Sequence, residues 1–270
     1  VLTSRSDSLS ITFQEARGLL FEGTTQLILV HGAMDRAKSF SRMTRSLVDF
    51  GFDTKSYDRR GYEESALVDP YSQQNPPTIE DHILDLASVI GEQKSLIFGH
   101  SLGGTIALLL SARNISPIAG IVTFESPLPW MEFWRRSGAY GIDPDKPLDL
   151  DFCEEFAEIF MKRMLGEERW MRLPPSTRKK RRLEGSVLVA EMASMSHLTP
   201  PLDPSLIKVP TIIGCGINAP SRHKEATAYL ASNIAGAKAV EIADTDHGVH
   251  LTNPTAAVDL IKGLWQFTKD

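Results

Sequence analysis

A chain of 270 residues with 42% hydrophobic and 23% charged residues is long enough to bury one large core, or one core plus a small insertion. Its formal net charge of −5 gives no general attraction to nucleic acid phosphates or to anionic membrane surfaces, which excludes both as expected partners. We therefore expect a small-molecule substrate.

The cysteine content and the hydrophobic pattern indicate a cytoplasmic protein. Cys153 and Cys215 are too few for a disulfide framework and lack the spacing of a zinc site. No apolar run approaches the roughly 20 residues that a membrane-spanning helix needs. The chain begins with Val1 rather than Met, so we expect it to be trimmed or partial at its start.

Short β-branched and aliphatic runs alternate with longer stretches of helical period, which predicts a mostly parallel sheet covered by helices. Eight strands are predicted, at residues 9–14, 19–21, 26–30, 53–57, 95–98, 118–124, 211–215 and 238–242. Apolar residues at helical spacing predict the covering helices, at residues 39–50, 78–91, 102–113, 223–233 and 254–268.

Residues 127–209 break this alternation, because they hold no good strand candidate. Within them, 151–173 and 175–195 have the pattern of amphipathic helices, and prolines punctuate both ends of the stretch. We therefore predict a core formed by 1–126 and 210–270, with 127–209 inserted as a helical lid.

The strongest chemical signal is the motif Gly99-His100-Ser101-Leu102-Gly103, a G-x-S-x-G pattern that follows a predicted strand and opens a predicted helix. A serine nucleophile has to stand on a sharp, strained strand-to-helix turn, and the glycines on either side leave room for that turn to pack. We therefore predict Ser101 as a nucleophile rather than an incidental serine in a glycine-rich turn.

A serine hydroxyl is a poor nucleophile at neutral pH and needs a base such as histidine within hydrogen-bond reach. His247 stands between the last predicted strand and the final helix, at the sheet edge from which the serine also emerges. His250 is the alternative base, although its position also suits a loop or helix-cap residue. We predict His247 as the base.

Several segments, in this order along the chain, resemble the α/β-hydrolase family. Besides the serine motif they are His31-Gly32, Tyr57-Asp58-Arg59-Arg60-Gly61-Tyr62 and Asp246-His247-Gly248. The similarity covers nearly the whole chain outside 127–209, and it departs from the family pattern at Glu63, where many members have glycine. It implies an α/β-hydrolase fold and a serine hydrolase that needs no metal or organic cofactor.

The resemblance also implies an oxyanion hole formed by the backbone N–H groups of Ala33 and Leu102. This is physically reasonable because Leu102 begins a predicted helix, and the amino terminus of a helix favours negative charge.

The acid of the catalytic triad is not where the resemblance usually puts it. The loop after the strand at 211–215 carries Asn218 but no carboxylate. Glu125 ends the preceding strand on the same side of the sheet, and some members of the family take their acid from that strand. We predict Glu125 as the acid, with Asp246 and Asp244 as alternatives and Asn218 able to orient the histidine only.

The lid is rich in aromatic and methionine residues, which commonly line apolar ligand pockets and also pack helices together. We predict that Trp130 and Trp134 of the lid, and His31 and Met34 near the oxyanion loop, contact the substrate. We do not expect His31 to be catalytic, because a histidine at this position more often hydrogen-bonds the backbone of its own loop. The basic run at 178–182 has the pattern of a solvated helix face that would attract an anionic substrate only weakly.

The predicted function is hydrolysis of a small, apolar carboxylic ester, thioester or lactone through an acyl-enzyme. Similar scaffolds with the same triad also perform carbon–carbon bond hydrolysis and cofactor-free haloperoxidase chemistry, and both remain alternatives. A third hypothesis is a non-catalytic small-molecule receptor, motivated by the acid missing from its usual loop. The sequence leaves the oligomeric state and the natural substrate open.

Overall fold

The computed structural model describes residues 9–16, 25–65, 67, 71–136, 142, 147–196 and 202–269. The strands are β1 (Ile11–Gln14), β2 (Thr25–Val30), β3 (Phe52–Tyr57), β4 (Ser95–His100), β5 (Ile118–Phe124), β6 (Thr211–Gly216) and β7 (Lys238–Ile242). The helices are α1 (Ser41–Phe50), α2 (Ile79–Ile90), α3 (Leu102–Arg113), α4 (Glu132–Arg136), α5 (Leu150–Leu165), α6 (Glu167–Arg172), α7 (Pro175–Leu183), α8 (Gly185–Ser196), α9 (Ser221–Asn233), α10 (Val249–Thr252) and α11 (Pro254–Phe267).

The described strands form one sheet in the order β1-β3-β2-β4-β5-β6-β7. Among them, β1 runs antiparallel to β3, and every other neighbouring pair is parallel. The mostly parallel sheet predicted from the sequence is therefore confirmed. The strand predicted at 19–21 lies outside the described residues, so the sheet described here has seven strands rather than eight.

Helices cover both faces of the sheet, which explains the uninterrupted aliphatic runs of its central strands. In β2, Ile28 and Val30 pack in a core with helices α2, α3 and α9, whereas Leu27 and Leu29 pack in a second core with α1 and α11. The edge strands β1 and β7 are mostly exposed. No helix in the described ranges has the length and hydrophobicity needed to span a lipid bilayer.

Between β5 and β6 the described secondary structure is helical, comprising α4 to α8 and a short 3-10 turn. Each of the two long helices predicted there is broken in two. Gly166, with a φ of 84°, separates α5 from α6. At Gly185, where α8 begins, a Cβ atom would come within 2.0 Å of the Cys153 carbonyl oxygen, so only glycine allows α8 to pack this closely on α5.

Buried charges fasten this helical segment to the loop after β3 and to α2. Glu191 on α8 forms a fully buried ion pair with Arg59, accepts a hydrogen bond from the Tyr62 hydroxyl at 2.8 Å and lies 2.9 Å from Nε2 of His82. Burial alone would raise the pKa of Glu191, but the positive charge of Arg59 and the contact with His82 outweigh it and lower that pKa to about 2. Glu191 is therefore ionised and paired at neutral pH.

We predict that Glu191→Gln lowers the free energy of unfolding by about 3–5 kcal/mol, because it leaves the Arg59 charge buried without its partner. Urea unfolding measures the change. The matched control is Glu168→Gln, which removes an ion pair with Arg172 on the exposed face of α6 and should cost only about 0.3–0.5 kcal/mol. Equal losses in the two variants would contradict the anchoring role of Glu191.

Candidate active site

Ser101 stands on the turn between β4 and α3 with a φ of 51° and a ψ of −122°. A residue with a side chain rarely adopts positive φ, so the surrounding structure has to hold this strained backbone in place. Close packing does so: a Cβ on Gly99 would lie 2.4 Å from Cα of Gly104, and a Cβ on Gly103 would lie 2.2 Å from the Val30 carbonyl oxygen. The motif glycines are therefore required by the turn that presents Ser101.

Glu125 and His247 come together from the ends of β5 and β7. Oε2 of Glu125 lies 2.6 Å from Nδ1 of His247, and Oε1 accepts the Gly216 N–H at 3.0 Å. Burial alone would raise the pKa of Glu125, but the hydrogen bond and charge of His247 outweigh it and hold that pKa below 4.5. An ionised carboxylate at Nδ1 keeps the proton there and leaves Nε2 free to accept one.

The alternative acids do not contact the His247 ring. Asp246 Oδ1 accepts hydrogen bonds from the Gly248 N–H at 2.9 Å and from the Thr252 hydroxyl at 3.0 Å, which ties it to its own loop and to α10. Asp244 and Asn218 are exposed. Within the described ranges, Glu125 is thus the predicted acid that the fold brings to His247.

A cluster of histidines surrounds His247, and sequence reasoning missed it because its members are brought together only by the fold. The His100 ring centroid lies 4.9 Å from that of His247 and 4.3 Å from that of His250, and His223 lies 5.2 Å from His247. Burial lowers the pKa of His100 well below 6.5 and that of His223 to about 3, so both rings are neutral. His250, the alternative base, faces Asp35 at 3.0 Å.

Two groups within this cluster have ligand atoms close enough to hold a metal ion. The atoms of each group lie within 4.8 Å of one another, and the groups are Asp35, His100 and His250, and Glu125, His223 and His247. In both groups the carboxylate already lies against one of the histidines. That the chain needs no metal cofactor, as predicted from the sequence, therefore stays a prediction.

The loop after β2 packs directly on the nucleophile. A Cβ on Gly32 would lie 3.0 Å from Cβ of Ser101, which brings Ala33 beside it. Leu102 contributes the first amide of α3, which has no partner within its own helix. Ala33 and Leu102 both line the same cavity as Ser101, as an oxyanion hole requires.

His31 supports this loop from behind. Its Nε2 accepts the Arg59 N–H at 2.8 Å, so the proton is on Nδ1, which donates to the Gly32 carbonyl oxygen at 2.8 Å. Burial and the charge of Arg59 lower the pKa of His31 well below 6.5 and keep the ring neutral. Because both ring nitrogens are bound to backbone and His31 does not line the cavity, the structure does not support the predicted contact between His31 and the substrate.

A cavity of about 570 Å³ lies between the helical segment and Ser101. This volume suits a small-molecule ligand. Ser101 and His247 line it together with the predicted contacts Met34 and Trp134, whereas Trp130 is half-buried against the core and is not part of the wall. Apolar side chains from the helical segment supply much of the remaining wall, including Phe160, Met161, Met164, Leu165, Met192 and Met195.

Comparison with known proteins bears on the family and the fold. A sequence model described as the alpha/beta hydrolase family matches residues 27–260. The AB hydrolase superfamily protein YfhM of Bacillus subtilis (strain 168) is 24% identical over 103 residues, which are 38% of this chain and 36% of that protein, so the match spans about a third of that relative's length.

Two solved structures share the fold over almost the whole chain. MenH from S. aureus superposes with a TM-score of 0.74 and 19% identity, covering 96% of this chain and 99% of that one. The esterase EaEST from Exiguobacterium antarcticum gives a TM-score of 0.68 and 18% identity, covering 97% of this chain and 96% of its own. At such identities the likeness shows the fold alone.

We predict that Glu125→Gln lowers kcat about 10⁴-fold with little loss of stability, because the amide can still accept the Gly216 N–H but cannot balance a charged imidazole. Steady-state kinetics with a 4-nitrophenyl ester measures kcat, and thermal unfolding checks the fold. Asp244→Asn is the control, since it removes an exposed carboxylate on the same sheet edge and should leave kcat unchanged. Near-normal turnover of Glu125→Gln would exclude it as the acid.

Proposed function

The chain belongs to the alpha/beta hydrolase family, and we propose that it is a serine hydrolase that cleaves small carboxylic esters through an acyl-enzyme intermediate. The observation that carries this proposal is the contact of the buried Glu125 with Nδ1 of His247, a residue that lines the same cavity as Ser101. This arrangement supplies the three groups that acyl transfer needs: a nucleophile, a base and a negative charge that balances the protonated base.

In the first half of the reaction, Ser101 Oγ attacks the substrate carbonyl carbon while Nε2 of His247 takes the hydroxyl proton. Ionised Glu125 stabilises the resulting imidazolium, and the N–H groups of Ala33 and Leu102 bind the oxyanion of the tetrahedral intermediate. Each such donor typically contributes about 10²- to 10³-fold to kcat. Collapse of the intermediate breaks the ester bond, and the departing alcohol oxygen takes the proton from Nε2.

In the second half, a water molecule loses its proton to His247 and attacks the acyl group on Ser101. Collapse of the tetrahedral intermediate that forms releases the carboxylic acid, and His247 returns the proton to Ser101. Ser101 and His247 make no direct hydrogen bond with each other in this structure. We expect that contact to form when substrate enters, as catalytic hydrogen bonds often do.

The apolar wall of the cavity supports an apolar acyl group as the main part of the substrate. Thioesters and lactones present the same carbonyl to Ser101 and fall within the proposal. The receptor hypothesis rested on the acid missing from its usual loop, and the contact of Glu125 with His247 supports the hydrolase proposal over it.

The two cysteines take no part in the proposed chemistry. Cys153 and Cys215 are buried free thiols, and burial raises the pKa of each to about 11, so both remain protonated at neutral pH. Free buried thiols are typical of reducing compartments, and they support the cytoplasmic location that we propose.

We predict that the wild-type chain hydrolyses 4-nitrophenyl esters of two- to ten-carbon acids, and that Ser101→Ala lowers kcat by about 10⁴- to 10⁶-fold. Release of 4-nitrophenolate measures the rate, and the preferred acyl length reports the depth of the cavity. The exposed serine variant Ser205→Ala is the control and should behave as wild type. Turnover that survives in Ser101→Ala, or no turnover of any ester by the wild type, would refute the proposed function.

A further inference from the structure

The cavity wall carries more positive than negative charge, although the whole chain has a net charge of −5. The charged side chains that line it, other than histidine, are Arg163, Arg169, Arg181, Arg222, Asp35 and Asp246. Much of the remaining wall is apolar, and low-dielectric walls concentrate the field of such charges inside a cleft. The cavity is therefore suited to a ligand that is both apolar and negatively charged.

The two carboxylates of the wall are bound elsewhere. Oδ2 of Asp35 accepts a hydrogen bond from the Ser39 hydroxyl at 3.0 Å and lies 3.0 Å from Nε2 of His250. Oδ1 of Asp246 accepts hydrogen bonds from the Gly248 N–H and the Thr252 hydroxyl. Burial alone would raise the pKa of Asp35, but its contact with His250 holds it well below the ordinary value. Neither carboxylate forms an ion pair with the wall arginines Arg169 and Arg181, although the charge of Asp35 is one of those that raise the pKa of Arg181.

Arg181 lines this cavity and also contacts the loop that carries the proposed oxyanion donor Ala33. It projects from α7, and its Nη1 donates to the Met34 carbonyl oxygen at 2.7 Å, next to the proposed oxyanion donor Ala33. The nearest carboxylate, Glu184, is 4.0 Å from Nη1 and is itself bound by Arg36 at 2.5 Å.

The charge of Arg181 is only partly compensated by its surroundings. Its side chain is only 19% exposed. Burial and the charge of Arg36 lower the pKa of Arg181 below its ordinary value, and nearby carboxylates only partly oppose this. The guanidinium still remains charged at neutral pH, because its ordinary pKa is above 12. A cation held in this way beside a catalytic centre attracts an anion into the cavity.

We propose that the substrate carries a carboxylate at the far end of its acyl group and that Arg181 binds this carboxylate. A guanidinium offers five N–H donors in a fixed plane, of which the Met34 carbonyl takes one, and its fork matches the two oxygens of a carboxylate. The inference rests on the proposed function and narrows its substrate class to half-esters of dicarboxylic acids, with an apolar chain between the two carbonyl groups.

Arg181 also positions the oxyanion loop through Met34, and the two roles have different kinetic signatures. Loss of positioning would slow every ester equally, because every ester uses the same oxyanion hole. Loss of anion binding would slow only substrates that carry the distal charge. The ratio of kcat/KM between a charged ester and a neutral ester of the same length therefore isolates anion recognition.

The experiment compares mono-4-nitrophenyl adipate with 4-nitrophenyl hexanoate, which have six-carbon acyl chains that end in a carboxylate and a methyl group. For the wild type we expect kcat/KM to favour the adipate about 10- to 100-fold at low ionic strength and less at high salt. Arg181→Met should lower that ratio at least about 10-fold, and Arg181→Lys should retain part of it. Lys179→Met, an exposed position on the same helix that does not line the cavity, should keep the wild-type ratio.

A wild-type enzyme that hydrolyses both esters without preferring the adipate, or a ratio that Arg181→Met leaves unchanged, would overturn the inference. If the wild type hydrolyses neither ester, the proposed function fails. A binding measurement then tests independently whether Arg181 binds a carboxylate. In that case calorimetry on Ser101→Ala compares monomethyl adipate with dimethyl adipate. Tighter binding of the monomethyl compound that is lost on adding Arg181→Met supports the site, and equal affinities refute it.

Discussion

One buried carboxylate, that of Glu125, joins three loops at the carboxyl edge of the sheet. Oε2 of Glu125 contacts the His247 ring in the loop after β7, and Oε1 accepts a hydrogen bond from the N–H of Gly216 at the end of β6. The backbone N–H of Glu125 donates to the Gly214 carbonyl oxygen at 3.0 Å. A buried charge is stable only when it is paired and hydrogen-bonded. The ends of β5, β6 and β7 are therefore held in one arrangement, and the remaining parts of the site are built around it.

A second set of buried charges couples the helical segment to the oxyanion loop. Arg59, which forms the buried ion pair with Glu191 of α8, also donates from Nη2 to the Gly32 carbonyl oxygen at 3.0 Å. From α7, Arg181 donates to the carbonyl oxygen of Met34, a residue whose φ of 57° needs such support. The segment that closes the cavity thus also shapes the loop on which the proposed oxyanion hole depends.

Local signals in the sequence were sufficient to predict the described strands of the sheet and the turn at Ser101. The reason is that hydrophobic periodicity and glycine spacing depend only on neighbouring residues. Glu125 required one topological argument, that parallel strands end at the same edge. The need for glycine at position 185 was not predictable, because it follows from close contact with Cys153 on another helix. The sequence indicated that the His31 ring would hydrogen-bond the backbone of its loop, as it does, but its exclusion from the cavity follows only from the three-dimensional structure.

The central claim is that His247, oriented by Glu125, activates Ser101 as a nucleophile. Incubation with diisopropyl fluorophosphate, followed by peptide mass spectrometry, tests it most directly, because this reagent phosphorylates activated serines and needs no knowledge of the substrate. The account predicts one adduct per chain, on Ser101, and no adduct in His247→Ala over the same time. An unmodified wild-type chain, an adduct on another residue, or equal labelling of the two proteins would contradict it.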